Sequence, residues 1–198
     1  FGCLYAGAIV VPSYPPGPRE GTKSSSRFLR IVQDAQPAVV IGSGKSLETA
    51  QSIVFSELPC IDLDSLPGQA EDDWIEPKLS QSDVALIQYT SGSTGAPKGV
   101  ALTHGNFLNN LQVFGKETLV SASSVGVSWL PPYHDLGLFC TLLPIHAGFK
   151  LVHMSPDQFL KNPITWLKAI SHFKGTISAA PNFAYDLCVR RVLKNNYT

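Results

Sequence analysis

The chain has 198 residues, 44% of them hydrophobic and 15% charged, an apolar composition that excludes disorder and suffices for a buried core without disulfides or metals. Fifteen Lys and Arg balance fifteen Asp and Glu, so no net field draws the chain to nucleic acid or to an anionic membrane. The longest apolar runs, residues 6–12 and 138–144, fall short of the roughly 18 to 20 residues that a membrane span requires.

Residues 1–11 carry neither an initiating Met nor a basic leader and read as the middle of a buried element, as if the chain began inside a domain. Ser24 is placed to cap a helix in which Phe28, Ile31, Val32 and Ala35 recur at three-and-four spacing, and Pro37 closes it before a strand at residues 38–41. A weaker helix around Leu47, Ala50, Ile53 and Val54 and a short strand at residues 60–63 follow. Residues 65–82 are acidic and non-periodic, which predicts a surface connection. Residues 84–89 then form a strand, residues 90–99 a small-residue loop, and Thr103 caps a helix presenting Phe107, Leu111 and Phe114.

The alternation persists, with a strand at residues 125–130, a mostly helical stretch at 136–145 and another strand at 150–154. Ser155-Pro156 and Asn162-Pro163 each place a capping residue before a Pro at the first helical position. In the second of these helices Trp166, Leu167, Ile170 and Phe173 mark the buried side. Residues 176–179 are the last strand, and Asn182 caps a final helix reaching about Leu193. Strands and helices alternating at this spacing predict an α/β fold, a mostly parallel twisted sheet flanked by helices on both faces.

Three segments carry chemistry. Tyr89-Thr90-Ser91-Gly92-Ser93-Thr94-Gly95-Ala96-Pro97-Lys98-Gly99 follows a strand; its glycines let backbone N–H groups turn toward an anion, its hydroxyls add donors, and Lys98 supplies a cation, a combination suited to a polyphosphate. It is not a Walker loop, because Pro97 stands where that motif needs its second glycine. Nor is Gly42-Ser-Gly44-Lys-Ser-Leu47 a dinucleotide fingerprint, since Leu47 replaces the third glycine. The second segment is Trp129-Leu130-Pro131-Pro132-Tyr133-His134-Asp135-Leu136-Gly137. Adjacent residues such as His134 and Asp135 rarely point at each other, and no Gly-x-Ser-x-Gly elbow accompanies them, which argues against a hydrolase. His134 is either a hydrogen-bonded structural histidine or a substrate contact. The remaining histidines, His104, His146, His153 and His172, have no metal-ligand spacing and are expected to be structural or on the surface. Cys3, Cys60, Cys140 and Cys188 form no C-x-x-C pair, which points to a reducing cytoplasm and to neither a zinc site nor a disulfide framework.

The third segment runs from Ala179-Ala180-Pro181-Asn182-Phe183-Ala184-Tyr185 to Arg191. Alone it is explained as a helix start, with Asn182 as cap, Phe183 and Leu187 in the core, and Arg190 and Arg191 complementing the helix C-terminus. All three segments follow strands, however, and the carboxyl ends of parallel strands share the edge where ligands bind. They are therefore expected to line one cleft.

On these residues the sequence resembles the class I adenylate-forming superfamily, and most of all its fatty acyl-AMP ligases. The likeness extends to residues 6–16 and covers nearly the whole chain. It implies that residues 1–198 are part of the large N-terminal adenylation domain, that a fatty acid carboxylate attacks ATP to give an acyl-adenylate and pyrophosphate, and that the acyl group passes to an acyl carrier protein, free or fused, as in polyketide or lipopeptide assembly. By the family pattern Thr90, Ser91, Gly92, Ser93, Thr94, Gly95 and Lys98 hold the β- and γ-phosphates. His134 sits beside the acyl carboxylate, and Tyr133, Asn182, Phe183 and Tyr185 wall the acyl pocket. Ala179-Ala180 departs from the Gly-Gly pair of many members, which narrows the pocket wall or has no effect.

The family's adenine- and magnesium-binding motif, ribose-binding Asp, hinge and C-terminal domain with its catalytic Lys have no counterpart before Thr198. No catalytic residue is therefore assigned, Mg2+ is expected only together with ATP, and the 198-residue chain alone is expected not to form acyl-AMP. An acyl-CoA ligase segment and a non-catalytic module that binds nucleotide or acyl chains stand as alternatives.

Overall fold

The computed structural model describes residues 1–17, 22–54, 58–66, 74–90 and 97–195. It divides into two compact units, Phe1–Asn106 and Phe107–Thr198. The fold is α/β, with parallel strand pairs flanked by helices.

The first unit opens with one helical turn, α1 (Gly2–Tyr5), which has no buried residue; the buried element expected there is an exposed turn. Helix α2 (Lys23–Ala35) is capped two residues before the expected position. Thr22 is the N-cap, its Oγ1 accepting from the Ser25 N–H at 3.3 Å. Ser24 instead lies inside the helix and accepts from the Gly17 N–H at 3.0 Å. Phe28 and Ile31 are buried, and Phe28 packs with Ala50, Ile53 and Val54 of the next helix region. Strand β1 (Val40–Gly42), helix α3 (Gly44–Ile53) and strand β2 (Cys60–Asp62) follow, with β1 and β2 parallel. Residues 74–80 of the expected surface connection have no regular structure; residues 67–73 lie outside the described residues. Trp74 donates its indole N–H to the Tyr5 carbonyl at 2.9 Å.

Strand β3 (Val84–Thr90) pairs antiparallel with β4 (Lys98–Thr103). Thr90 and Lys98–Gly99, at the two ends of the expected loop at residues 90–99, are thus strand. Composition hides the second strand, because β4 is exposed over its first four residues and carries a glycine, so no period-2 burial marks it. Thr103 caps α4 (His104–Glu117) as expected: its Oγ1 accepts from the Asn106 N–H, and the Asn106 side chain accepts from the Thr103 N–H.

In the second unit β5 (Val125–Ser128) lies between two parallel partners. β6 (Lys150–His153) pairs with it along its length, and Ile177 bridges Gly126 on the other side. The expected last strand at residues 176–179 is reduced to that single bridge, held by the Val127 N–H to the Ile177 carbonyl at 3.0 Å. Helix α5 (Asp135–Ala147) ends on Gly148 at φ 72°, a left-handed cap that glycine adopts without strain. Helix α6 (Pro156–Lys161) starts in a complete capping box from Ser155 and Gln158. Helix α7 (Ile164–Phe173) does not use Asn162 in that way, since Pro163 is the N-cap and no side chain caps it. In α7 the buried residues are Ile164 and Trp166, whereas Leu167 and Phe173 are exposed. Helix α8 (Asn182–Asn195) closes the described chain.

The main core of this unit gathers around Trp129, whose ring stacks on Phe159 at 3.8 Å and 6° and meets Trp166 edge-on at 6.4 Å. Phe159 and Trp166 are almost wholly buried, and burial of side chains this large is worth roughly 1.5–3 kcal/mol each. A second cluster of Leu111, Leu143 and Phe149 lies under α5. Among the described residues no helix is long and apolar enough to cross a membrane.

Candidate functional site

The pairing of β3 with β4 places the two ends of the segment at residues 89–99 side by side. Thr90 pairs with Lys98 and Tyr89 with Gly99, and both Thr90 and Lys98 are exposed. Ser91, Gly92, Ser93, Thr94 and Gly95 lie outside the described residues. A β-carbon on Gly99 would come within 2.8 Å of Ile87 Cγ2 and 3.1 Å of the Tyr89 ring, so glycine there makes room for the buried phenol. The Tyr89 hydroxyl donates to Asp34 at 2.5 Å, and the Arg27 guanidinium donates to the Tyr89 carbonyl at 3.0 Å. Burial, followed by the hydrogen bond to Asp34 and its charge, pushes the Tyr89 phenol up to about 12.

In the second unit the His134-Asp135 segment forms the entry turn of α5. The His134 N–H donates to the Pro131 carbonyl at 3.1 Å. Contrary to expectation, the adjacent side chains do meet: His134 Nδ1 lies 2.5 Å from Asp135 Oδ1, with the two side chains 66% and 72% exposed. The turn swings both out to solvent, which is what lets neighbours in sequence face each other. Tyr133 is half-buried beside them.

The third segment splits between core and surface. Ala184 and Cys188 of α8 are buried, while Phe183 and Tyr185 are half exposed. The core role expected of Phe183 thus falls to Ala184, because a helix start leaning on Trp129 and Trp166 leaves room for a methyl but not for a ring. Phe183 instead meets Trp129 edge-on at 6.1 Å, and Tyr185 tilts against Trp166 at 5.6 Å. Asn182 is exposed at the first residue of the helix. The second and third segments are therefore brought together at Trp129.

Sequence reasoning missed the cavity next to them. A space of about 180 Å³ is walled by Val127 and Ser128 of β5, Leu136, Phe139, Cys140 and Leu143 of α5, and Ile177 to Ala179. None of Tyr133, His134, Asn182, Phe183 or Tyr185 lines it. The apolar run of α5 and the departure at Ala179 were the available signals; Ala179 is on the wall, while Ala180 packs against the Trp129 core. Burial pushes the Cys140 thiol up, which keeps it neutral there. Ser178 ties the wall together, accepting from the Trp166 indole at 3.0 Å and donating to the Val127 carbonyl at 2.6 Å. Among the described residues no group of three or more His, Cys, Asp or Glu could hold a metal ion.

The family model described as AMP-binding enzyme matches residues 1–197. A medium-chain-fatty-acid–[acyl-carrier-protein] ligase, JamA of Moorena producens, is 36% identical over 96% of this chain and 33% of its own length. A long-chain-fatty-acid–AMP ligase, FadD32 of Mycobacterium marinum, is 32% identical over 96% of this chain and 31% of its own. Among solved structures, a fatty acyl-adenylate ligase from L. pneumophila, in complex with acyl adenylate and pyrophosphate, superposes with a TM-score of 0.87 at 42% identity, covering 96% of this chain and 33% of that one. The chain thus spans about a third of the length of the relatives it matches. On the match across residues 1–197, it belongs to the AMP-binding enzyme family.

Proposed function

We propose that this chain is the phosphate-binding and acyl-facing part of an enzyme that activates a fatty acid with ATP. The carboxylate oxygen attacks the α-phosphorus, the bond from that phosphorus to the oxygen bridging the β-phosphate breaks, and pyrophosphate leaves with the electron pair. The products are acyl-adenylate and pyrophosphate. The observation that carries this reading is the likeness, at 42% identity, to a ligase holding acyl adenylate and pyrophosphate.

Thr90, Ser91, Gly92, Ser93, Thr94, Gly95 and Lys98 receive the β- and γ-phosphates, and their part is to stabilise the charge that gathers on the departing pyrophosphate. Mg2+ accompanies the nucleotide and neutralises part of the same charge. His134, exposed at the mouth of α5, contacts the acyl carboxylate. Tyr133, Asn182, Phe183 and Tyr185 offer aromatic and amide surface to the acyl chain near its head, and the cavity under α5 takes apolar carbon. The acyl group then passes to the thiol of an acyl carrier protein, with AMP leaving.

The test is fatty-acid-dependent ATP–pyrophosphate exchange by the native gene product, followed by a choice of acceptor. Exchange that requires a fatty acid, with acyl transfer to carrier protein and not to coenzyme A, is the expected result. Transfer to coenzyme A would make the enzyme an acyl-CoA ligase. Nucleotide binding without exchange would make the chain a binding module.

A further inference from the structure

The Tyr89 carbonyl and hydroxyl are both bound by one helix. Arg27 and Asp34 stand seven residues apart on α2, two turns along the same face. Arg27 reaches the Tyr89 main chain at 3.0 Å and Asp34 reaches its hydroxyl at 2.5 Å. On the outer edge of β3 the Ile87 N–H is taken by the Val10 carbonyl at 2.8 Å; two residues further on, the guanidinium satisfies the strand's backbone. Tyr89 itself is buried, with 6% of its surface exposed, and it directly precedes Thr90, the residue paired with Lys98. Both bonds involve a charged partner, the stronger kind of hydrogen bond. A strand end pinned at main chain and side chain has little freedom to shift or rotate, and groups that stabilise a polyphosphate act best when their positions are fixed before the ligand arrives.

We propose that Arg27 and Asp34 are positioning residues for nucleoside triphosphate binding: through Tyr89 they fix Thr90 and Lys98 where the phosphates are received. The inference rests on the reading of residues 90–99 as a phosphate loop. Neither residue touches the nucleotide; each acts through Tyr89.

The experiment is isothermal titration of the native gene product with ATP and Mg2+, with thermal melts run on every variant. The wild-type protein binds ATP, and Lys98→Ala weakens binding. Arg27→Gln, Tyr89→Phe and Asp34→Ala each raise the Kd about tenfold, the scale of one charge-assisted hydrogen bond. The double variant Tyr89→Phe with Asp34→Ala is no worse than either single change, because both remove the same bond. Asp34→Asn keeps an acceptor and stays within about threefold of wild type. Ile53→Val trims a core cluster of the same unit that contains no β3 residue; it lowers the melting temperature without changing the Kd, which separates the positioning effect from a general loss of stability. Should Arg27→Gln fail to fold, the shape-conserving pair Tyr89→Phe and Asp34→Asn decides between the outcomes. If Lys98→Ala weakens binding while the Arg27, Asp34 and Tyr89 variants bind like wild type, the positioning role is overturned and the loop assignment stands. The positioning role is likewise overturned if Ile53→Val weakens binding as much as they do. If wild type does not bind ATP, or Lys98→Ala changes nothing, the loop assignment falls and takes the inference with it.

Discussion

A β-carbon on Gly137 would lie 2.0 Å from the carbonyl oxygen of Pro131, and 2.7 Å from its carbonyl carbon. Both neighbours are backbone, so no side chain can turn aside to make room. The first turn of α5 therefore packs directly on the turn that presents His134, and glycine is the residue that permits this approach. Gly137→Ala is expected to destabilise the second unit by about 1–3 kcal/mol, the range for overpacking a closed site. Urea denaturation followed by tryptophan fluorescence measures it, and an unchanged midpoint would mean that the turn relaxes freely.

The core beneath that turn depends on Phe159, fully buried and stacked on Trp129. Phe159→Ala leaves a cavity against two tryptophans and is expected to cost about 3–5 kcal/mol. The same denaturation experiment reads it.

His134 and Asp135 lie on the surface, and exposed substitutions of this kind usually change stability by about 0.5 kcal/mol or less. His134→Ala is accordingly expected to leave the melting temperature nearly unchanged while lowering fatty-acid-dependent exchange in the native gene product. Loss of stability without loss of exchange would assign His134 a structural role instead.

Tyr89 sets an alkaline limit. Its phenol is pushed up from the ordinary 10.0 to about 12, so the neutral form is favoured by the fold. The stabilisation this provides is complete below about pH 10 and is lost as pH rises toward 12. The wild-type chain is expected to lose stability steeply across that window, and Tyr89→Phe to lose it less steeply. Urea titrations at pH 9, 10 and 11 give the slopes.

The alternation of strands and helices was legible because hydrophobic spacing and capping residues agreed, as at Thr103 and Ser155. Three of the details that were not show the physical reasons. Thr22 outcompetes Ser24 as cap because Ser24 is held by the Gly17 N–H, a tertiary contact that local pattern does not contain. β4 escaped notice because its order comes from pairing with β3 and not from its own exposed residues. Residues 176–179 have strand composition, yet they form a single bridge to β5, Gly126 with Ile177, and otherwise reach β5 through the Thr176 N–H and the Thr176 and Ser178 side chains. In the candidate site, the polar motif residues stood out by chemistry, whereas the cavity wall of Phe139, Cys140 and Leu143 reads in sequence as ordinary helix core.

The central claim is that residues 90–99 receive the phosphates of ATP, and Lys98→Ala tests it most directly. Lys98 is exposed on β4 opposite Thr90, so its removal changes charge without disturbing a core. Titration calorimetry with ATP and Mg2+ is expected to show a Kd raised at least about tenfold, as for loss of a charge-assisted contact, with an unchanged melting temperature. An unchanged Kd would contradict the phosphate-loop assignment and the proposed function built on it.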